Sequence, residues 1–323
     1  MAATTPLVVL GEVRTCLLPS AAALPRAEAC ELLELVPGRG VRWRERPGTL
    51  AVSPTTAVGV DCDLALNAET ARIVGTAATT LVLAGGRILQ SSAHVAVVRA
   101  PDRRRRPWSH YISRKGVVEV LTRIPERASA GPALAESYLA ERTGADILDL
   151  ASISERTLAR IRSDPQLDMN PPLHAGTTRL RWTAQVGGSS GPAVGMRLVD
   201  DTVRTVRLIV REEPDLQDAQ RFCEDLAVHD WLLTALARAL DEADRFPSDS
   251  RERLGILGPA LEHLTRLWMP GAHTPVSLRA LWKELQNDPG FTRQWNNLVG
   301  QLRDSIAVAT LDALRHRGST ADR

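Results

Sequence analysis

Residues 72–99 contain two long runs of apolar and small residues that are separated by Gly85-Gly86. Two adjacent glycines tolerate the positive φ angles of a tight two-residue turn, so the pattern predicts a long β-hairpin. We expect Leu83 to lie opposite Ile88. In this register one face of the hairpin is wholly apolar or small and the other is mixed, which predicts a sheet with one buried face.

Shorter segments of the first 212 residues show similar patterns. Apolar and β-branched runs predict strands at 6–18, 41–45, 50–53, 58–64 and 178–186. A second hairpin is predicted at 194–210, around Asp200-Asp201. Apolar residues at helical spacing predict short helices at 25–36, 116–124, 132–141 and 152–163. The segment 101–115 breaks these patterns and is predicted to be a loop.

From Pro214 onward the apolar residues recur at helical spacing. The segment 215–245 is predicted to be one long helix. Prolines favour the first position of a helix, so Pro259, Pro275 and Pro289 are predicted to begin later helices. Apolar stripes on successive helices must face one another, which predicts an antiparallel helical bundle.

These patterns together predict an α+β fold with an N-terminal β-rich sheet region, a few helices beside it and a C-terminal antiparallel helical bundle. We expect two domains. Residues 1–212 form a β-rich α+β domain with the hairpins 72–99 and 194–210, and residues 213–323 form the bundle.

The composition excludes several classes of protein. Among 323 residues, 40 are basic and 38 acidic, which is typical of a soluble globular chain. The weakly polar run 77–86 is far shorter than the roughly 20 residues that span a membrane, and the first residues lack the features of a signal peptide. We therefore expect a cytoplasmic protein without membrane insertion. The four cysteines lie far apart without a C-x-x-C pair, so reduced thiols and no zinc site are expected.

The basic residues are unevenly distributed, since only Lys115 and Lys283 are lysines and the others are arginines. Four consecutive arginines are followed closely by aromatic residues. Such a mixture fits phosphate neutralisation with base stacking, contact with an acidic protein surface, or merely solvated charge. The candidate interaction surface comprises Arg103, Arg104, Arg105, Arg106, Trp108, His110, Tyr111 and Arg114.

Other clusters favour structural interpretations. The residues of 108–111 are adjacent and point apart, so a loop anchored by its aromatic rings is favoured over acid–base chemistry. Asp225 and His229 share a helix face, and a hydrogen-bonded core histidine is favoured over a metal ligand. Asp61-Cys62-Asp63 fits a strand end with solvated acids, and 187–192 fits a flexible loop. No catalytic residue, cofactor or metal ligand is predicted.

Two segments carry a resemblance to a known family. They are Pro107-Trp108-Ser109-His110-Tyr111 with Gly116-Val117-Val118-Glu119, and 220–226 with His229-Asp230-Trp231-Leu232-Leu233. With Leu24-Pro25 and Val60-Asp61-Cys62, they resemble an uncharacterised actinobacterial (Streptomyces-type) protein family over most of the chain. Genes of that family lie beside genes for a variant P-loop protein and a methyltransferase. The resemblance implies a subunit of a multi-gene system and supplies no catalytic residues.

We therefore expect a non-catalytic subunit or accessory protein of a multi-component actinobacterial system. It would act through protein–protein contacts, with the variant P-loop protein among the candidate partners. Two alternatives stay open. One is a nucleic-acid-binding accessory protein that uses Arg103–Arg106, and the other is an enzyme whose site leaves no linear motif.

Overall fold

The computed structural model describes residues 5–66, 69–123, 127–140, 144–187, 191–248 and 250–321. The strands are β1 (Val8–Leu17), β2 (Arg42–Arg44), β3 (Leu50–Val52), β4 (Thr56–Leu66), β5 (Glu69–Ala84), β6 (Ile88–Arg99), β7 (Val117–Val120), β8 (Thr178–Val186), β9 (Ala193–Leu198) and β10 (Val203–Val210). The helices are α1 (Arg26–Leu32), α2 (Trp108–Ile112), α3 (Arg127–Leu139), α4 (Leu150–Arg162), α5 (Ala219–Ala243), α6 (Arg251–Leu264), α7 (Arg279–Asn287) and α8 (Phe291–Ala321). Short 3₁₀ helices lie at Glu213–Gln217, Thr265–Leu267 and Val276–Leu278.

The ten strands found in the described residues belong to one sheet. Their order is β2-β3-β5-β7-β6-β1-β8-β10-β9, and β4 pairs with β5 on the same side as β3. The hairpin β9–β10 joins this sheet through a parallel pairing of β10 with β8. The strands of both predicted hairpins therefore share one sheet, and the fold is α+β with an N-terminal sheet and C-terminal helices.

The predicted register of the hairpin β5–β6 is wrong by one residue. Ala84, not Leu83, lies opposite Ile88, and the turn spans the three residues 85–87. Both glycines adopt positive φ, as the sequence predicted. The turn is set by neighbouring chain segments, because the Gly85 amide donates to the Thr49 carbonyl and the Leu18 amide donates to the Arg87 carbonyl.

The ladder between β5 and β6 opens after the pair Ala78–His94, and β7 fills the resulting fork. β7 runs antiparallel to β5 and parallel to β6. The prediction of a helix at 116–124 is therefore wrong. Its valine-rich stretch 117–120 fits a strand that is buried between two others.

Both faces of the sheet are covered, so the prediction of one buried face is wrong. α1, α3 and α4 pack on one face, where cores such as that of Leu10, Ile73 and Leu134 form. α5 crosses the other face and contacts β1, β6 and β8. Thr80 and Gln90 are buried beneath α5, where Gln220 donates to the Thr80 hydroxyl and the Glu224 carbonyl accepts from Gln90.

The C-terminal helices share one hydrophobic core with the sheet, from Val13 and Trp182 on the strands to Phe222 on α5. Trp231, Trp282 and Trp295 are buried in the same core. α5, α6 and α8 contact one another. Pro259 lies inside α6 and does not begin a helix, contrary to the prediction. The division into domains at residue 212 stays a prediction.

Within the described residues, no helix combines the length and the apolar character that crossing a membrane requires.

The fork at β7 depends on the absence of a side chain at Gly75. A methyl group there would lie 2.1 Å from the Val117 carbonyl oxygen and 2.6 Å from the Val118 Cα atom. We predict that Gly75→Ala lowers the free energy of unfolding by about 1–3 kcal/mol, measured by urea denaturation, because backbone must shift to admit the methyl group. The control is Gly300→Ala in α8, where an added Cβ meets nothing within 4 Å. It should stabilise the chain by about 0.5–1 kcal/mol. Unchanged stability of Gly75→Ala would contradict this account of the fork.

Candidate functional site

The predicted interaction surface is the connection between the parallel neighbours β6 and β7. It consists of an irregular segment, residues 100–107, which bends at 101–104, and the short helix α2, which begins after Pro107. The sequence predicted a loop at 108–111, and the structure places one helical turn there. Proline suits the start of this helix because its fixed φ allows extended backbone before the turn. The backbone of Pro107 is extended, with a φ of −63° and a ψ of 153°.

The end of α2 is fixed to the sheet by one side chain of β5. The Thr76 hydroxyl donates to the Arg114 carbonyl at 3.0 Å and accepts from the Gly116 amide at 3.1 Å. Gly116 has a φ of +76°, a conformation that favours glycine. Because β7 follows directly, α2 is tied to the sheet at its C-terminal end.

α2 exposes two large apolar side chains. Trp108 is 39% exposed and Ile112 is 60% exposed. The Trp108 ring packs over Gly59 of β4, where an added Cβ would lie 3.4 Å from it. Ile112 was not predicted as part of the surface, because an isoleucine near two aromatic residues resembles a core position. Helical spacing from Trp108 to Ile112 was the available signal, since residues i and i+4 share a helix face.

The four arginines beside Trp108 are exposed, as the sequence predicted. Arg105 lies over the Trp108 ring, 5.0 Å from its centroid, and pairs with Asp61 at 3.1 Å. Arg106 pairs with Asp102 at 2.7 Å. Within the part of the chain that the structure describes, the guanidinium groups of Arg103 and Arg104 form no ion pair. Their charge is therefore available at the surface.

The remaining predicted residues support α2 from beneath. Tyr111 is buried, and its hydroxyl accepts a hydrogen bond from the Arg106 amide at 3.0 Å. The half-buried His110 and Arg114 both meet the buried carboxylate of Glu119 on β7. The site thus has an exposed group, Arg103–Arg106 with Trp108, and a supporting group that fixes it to the fork.

His229 is a hydrogen-bonded core residue, as predicted. Its Nδ1 donates to the Asp225 carbonyl at 2.7 Å, and its Nε2 accepts from the Met269 amide at 3.1 Å. Burial lowers the pKa of His229 to about 4, so the ring is neutral near pH 7. The Asp225 carboxylate accepts from the Thr274 hydroxyl at 2.7 Å.

Asp61 and Asp63 share a face of β4, but they lie within the strand and not at its end as predicted. Asp61 pairs with Arg72 and Arg105. Cys16, Cys30, Cys62 and Cys223 are free thiols. Among the described residues, no three or more acidic, histidine or cysteine side chains form a group that could hold a metal ion. Part of the predicted loop 187–192 lies outside the described residues.

Comparisons of the chain with protein-family models, with curated proteins and with solved structures find no match.

Replacing Arg103–Arg106 together by serine should leave the free energy of unfolding within about 1 kcal/mol of the wild type. Their two ion pairs are partly exposed, and such pairs contribute little. Tyr111→Ala should instead cost about 3–5 kcal/mol, because it removes a buried aromatic ring. Urea denaturation of both variants tests the division into exposed and supporting groups. Unfolding of the quadruple variant would show that the arginines are structural.

Proposed function

We propose that the chain is a non-catalytic accessory subunit that binds a partner protein through the α2 surface, defined as Arg103–Arg106, Trp108 and Ile112. The observation that carries the proposal is the exposure of Trp108 and Ile112 on a helix that is held firmly by the sheet. Tryptophan and arginine are enriched among the residues that dominate protein interfaces. A preorganised surface also loses little conformational entropy on binding.

The charge of this surface favours an acidic partner. Asp61 and Asp102 neutralise Arg105 and Arg106, whereas Arg103 and Arg104 have no such partner in the described residues. Carboxylates on a partner would pair with these guanidinium groups and accelerate association. Trp108 and Ile112 would supply the apolar centre of the interface.

The nucleic-acid alternative has less support from the geometry. Binding of single strands uses successive aromatic rings on which bases stack. On the α2 surface Tyr111 is buried, and Arg105 already lies over the Trp108 ring. This arrangement favours a protein partner, and nucleic-acid binding becomes an outcome of the test.

The wider setting of the proposal rests on the resemblance of residues 107–119 and 220–233. In this proposal the chain acts in the cytoplasm, in a multi-component actinobacterial system, with a variant P-loop protein among the candidate partners. In this proposal the C-terminal helices form an antiparallel bundle that supports the sheet from one side. The mutual contacts of α5, α6 and α8 support that arrangement.

The proposal is tested by affinity capture from extracts of the source cells. The immobilised wild-type chain should retain specific proteins, and the double variant Trp108→Ala/Ile112→Ser should retain at least tenfold less of them, as quantified by mass spectrometry. Loss is expected because the apolar centre of the interface is removed. The surface arginines should contribute too, so the Arg103–Arg106 serine variant should lose the same proteins, most strongly at low salt.

The matched control replaces four exposed arginines elsewhere, Arg160, Arg245, Arg279 and Arg303, by serine. It has the same change in net charge and should retain the partners as the wild type does. Equal retention by the wild type and the Trp108/Ile112 variant would refute the proposal. Retention that disappears after nuclease treatment would favour the nucleic-acid alternative instead.

A further inference from the structure

A cavity of about 310 Å³ lies between α5 and the edge of the sheet near β2 and β3. Its floor follows directly from the strand register. Arg42, Val52, Val82 and Gln90 are successive cross-strand partners on β2, β3, β5 and β6. Cross-strand partners share a face of the sheet, so a row leads from a cation at the edge to a buried amide in the interior.

Three arginines line this cavity. Arg42 and Arg44 alternate with Trp43 on β2 and therefore share a face, and Arg221 approaches from α5. All three are exposed. In the described part of the chain Arg42 and Arg44 form no ion pair, and the nearest carboxylate to Arg221 is that of Asp218 at 4.0 Å. The cavity thus has a concentration of guanidinium groups that the protein itself leaves largely unpaired.

The wall formed by α5 is polar. Gln220 donates to the Glu224 carboxylate at 2.7 Å and to the Thr80 hydroxyl at 3.3 Å. Gln90 donates to the Thr15 hydroxyl at 3.0 Å and to the Glu224 carbonyl at 2.9 Å. Such a network orients the Glu224 carboxyl group within the cavity. Burial raises the pKa of Glu224 to about 7, and hydrogen bonds and the charges of Arg221 and Arg42 oppose that shift.

We propose that this cavity binds a small phosphate monoester. Arg42, Arg44 and Arg221 hold the phosphate group, and a hydroxyl group of the ligand forms a hydrogen bond with the Glu224 carboxyl group. Guanidinium groups bind phosphate oxygens through paired hydrogen bonds, and three of them suit a dianion. The volume is that of a small-molecule site. This inference does not depend on the proposed partner.

A second polar cavity also contains arginines, but its arginines are paired with carboxylates of the protein. It lies on the opposite face of the sheet and also contains three arginines, Arg14, Arg179 and Arg181. There the buried carboxylate of Glu12 lies close to all three guanidinium groups, and Glu155 pairs with Arg14. These two carboxylates offset much of the charge of the three arginines from within the protein. The first cavity has no equivalent pairing for Arg42 and Arg44 among the described residues.

Calorimetric titration of the full chain tests the proposal with defined probes. Glycerol 3-phosphate and glucose 6-phosphate should bind, whereas glycerol and glucose should not, and inorganic phosphate should compete with both esters. The double variant Arg42→Ala/Arg44→Ala should weaken binding of the esters at least tenfold. The control is Arg39→Ala/Arg46→Ala, which removes two exposed arginines of the same segment that do not line the cavity. Equal affinities for the esters and the parent alcohols, or equal losses in both variants, would overturn the proposal.

Sulfate separates the role of Glu224 from that of the arginines, because sulfate keeps its charge throughout the neutral range. Its affinity should fall as the pH rises through about 7, since Glu224 becomes negatively charged above its pKa. The charges of Arg42, Arg44 and Arg221 stay constant over this range. Asp225 and His273 also line the cavity, and both are present in the wild type and in the variant Glu224→Gln. Glu224→Gln should therefore bind sulfate with a flatter pH profile. An unchanged profile would show that the anion lies elsewhere.

Discussion

The opening of the β5–β6 ladder at Ala78 and His94 determines much of the structure. β7 enters the fork because Gly75 leaves space for its backbone, and both ladders of β7 then fix the end of α2. Without the fork, residues 100–116 would be a long excursion from the edge of a strand. With the fork, the short helix α2 holds Trp108 and Ile112 in a fixed position relative to the sheet. Steric fit within the sheet thereby determines the shape of an exposed surface.

Local patterns in the sequence predicted every strand except β7, but they did not predict how the strands combine. Gly85-Gly86 marked the hairpin, yet its register depends on hydrogen bonds to Thr49 and Leu18, which lie far away in the chain. The short valine-rich run of β7 is compatible with either a helix or a buried strand, and only its position in the fork distinguishes these two structures. Gln90 was assigned to the mixed face because sequence alone does not show that Glu224 of α5 covers it.

The candidate surface was predictable where its residues are contiguous. Four arginines between Pro101 and Pro107 have few ways to be buried, so exposure followed from the sequence alone. The cavity beneath α5 was not predictable, because β2, β6 and α5 contribute its residues from distant parts of the chain. Strand alternation places Trp43 on the opposite face of β2 from Arg42 and Arg44.

The two ends of the sheet differ from its well-covered faces, since an open sheet presents edge strands to which another chain can add. At one end, β2 is only three residues long and two of them are arginines. At the other end, the Glu284 carboxylate of α7 accepts from the Val194 amide of β9 at 3.1 Å. Short length, repelling charge and a side chain that occupies an edge amide all oppose strand addition. The edges of β2 and β9 are thereby protected against edge-to-edge aggregation.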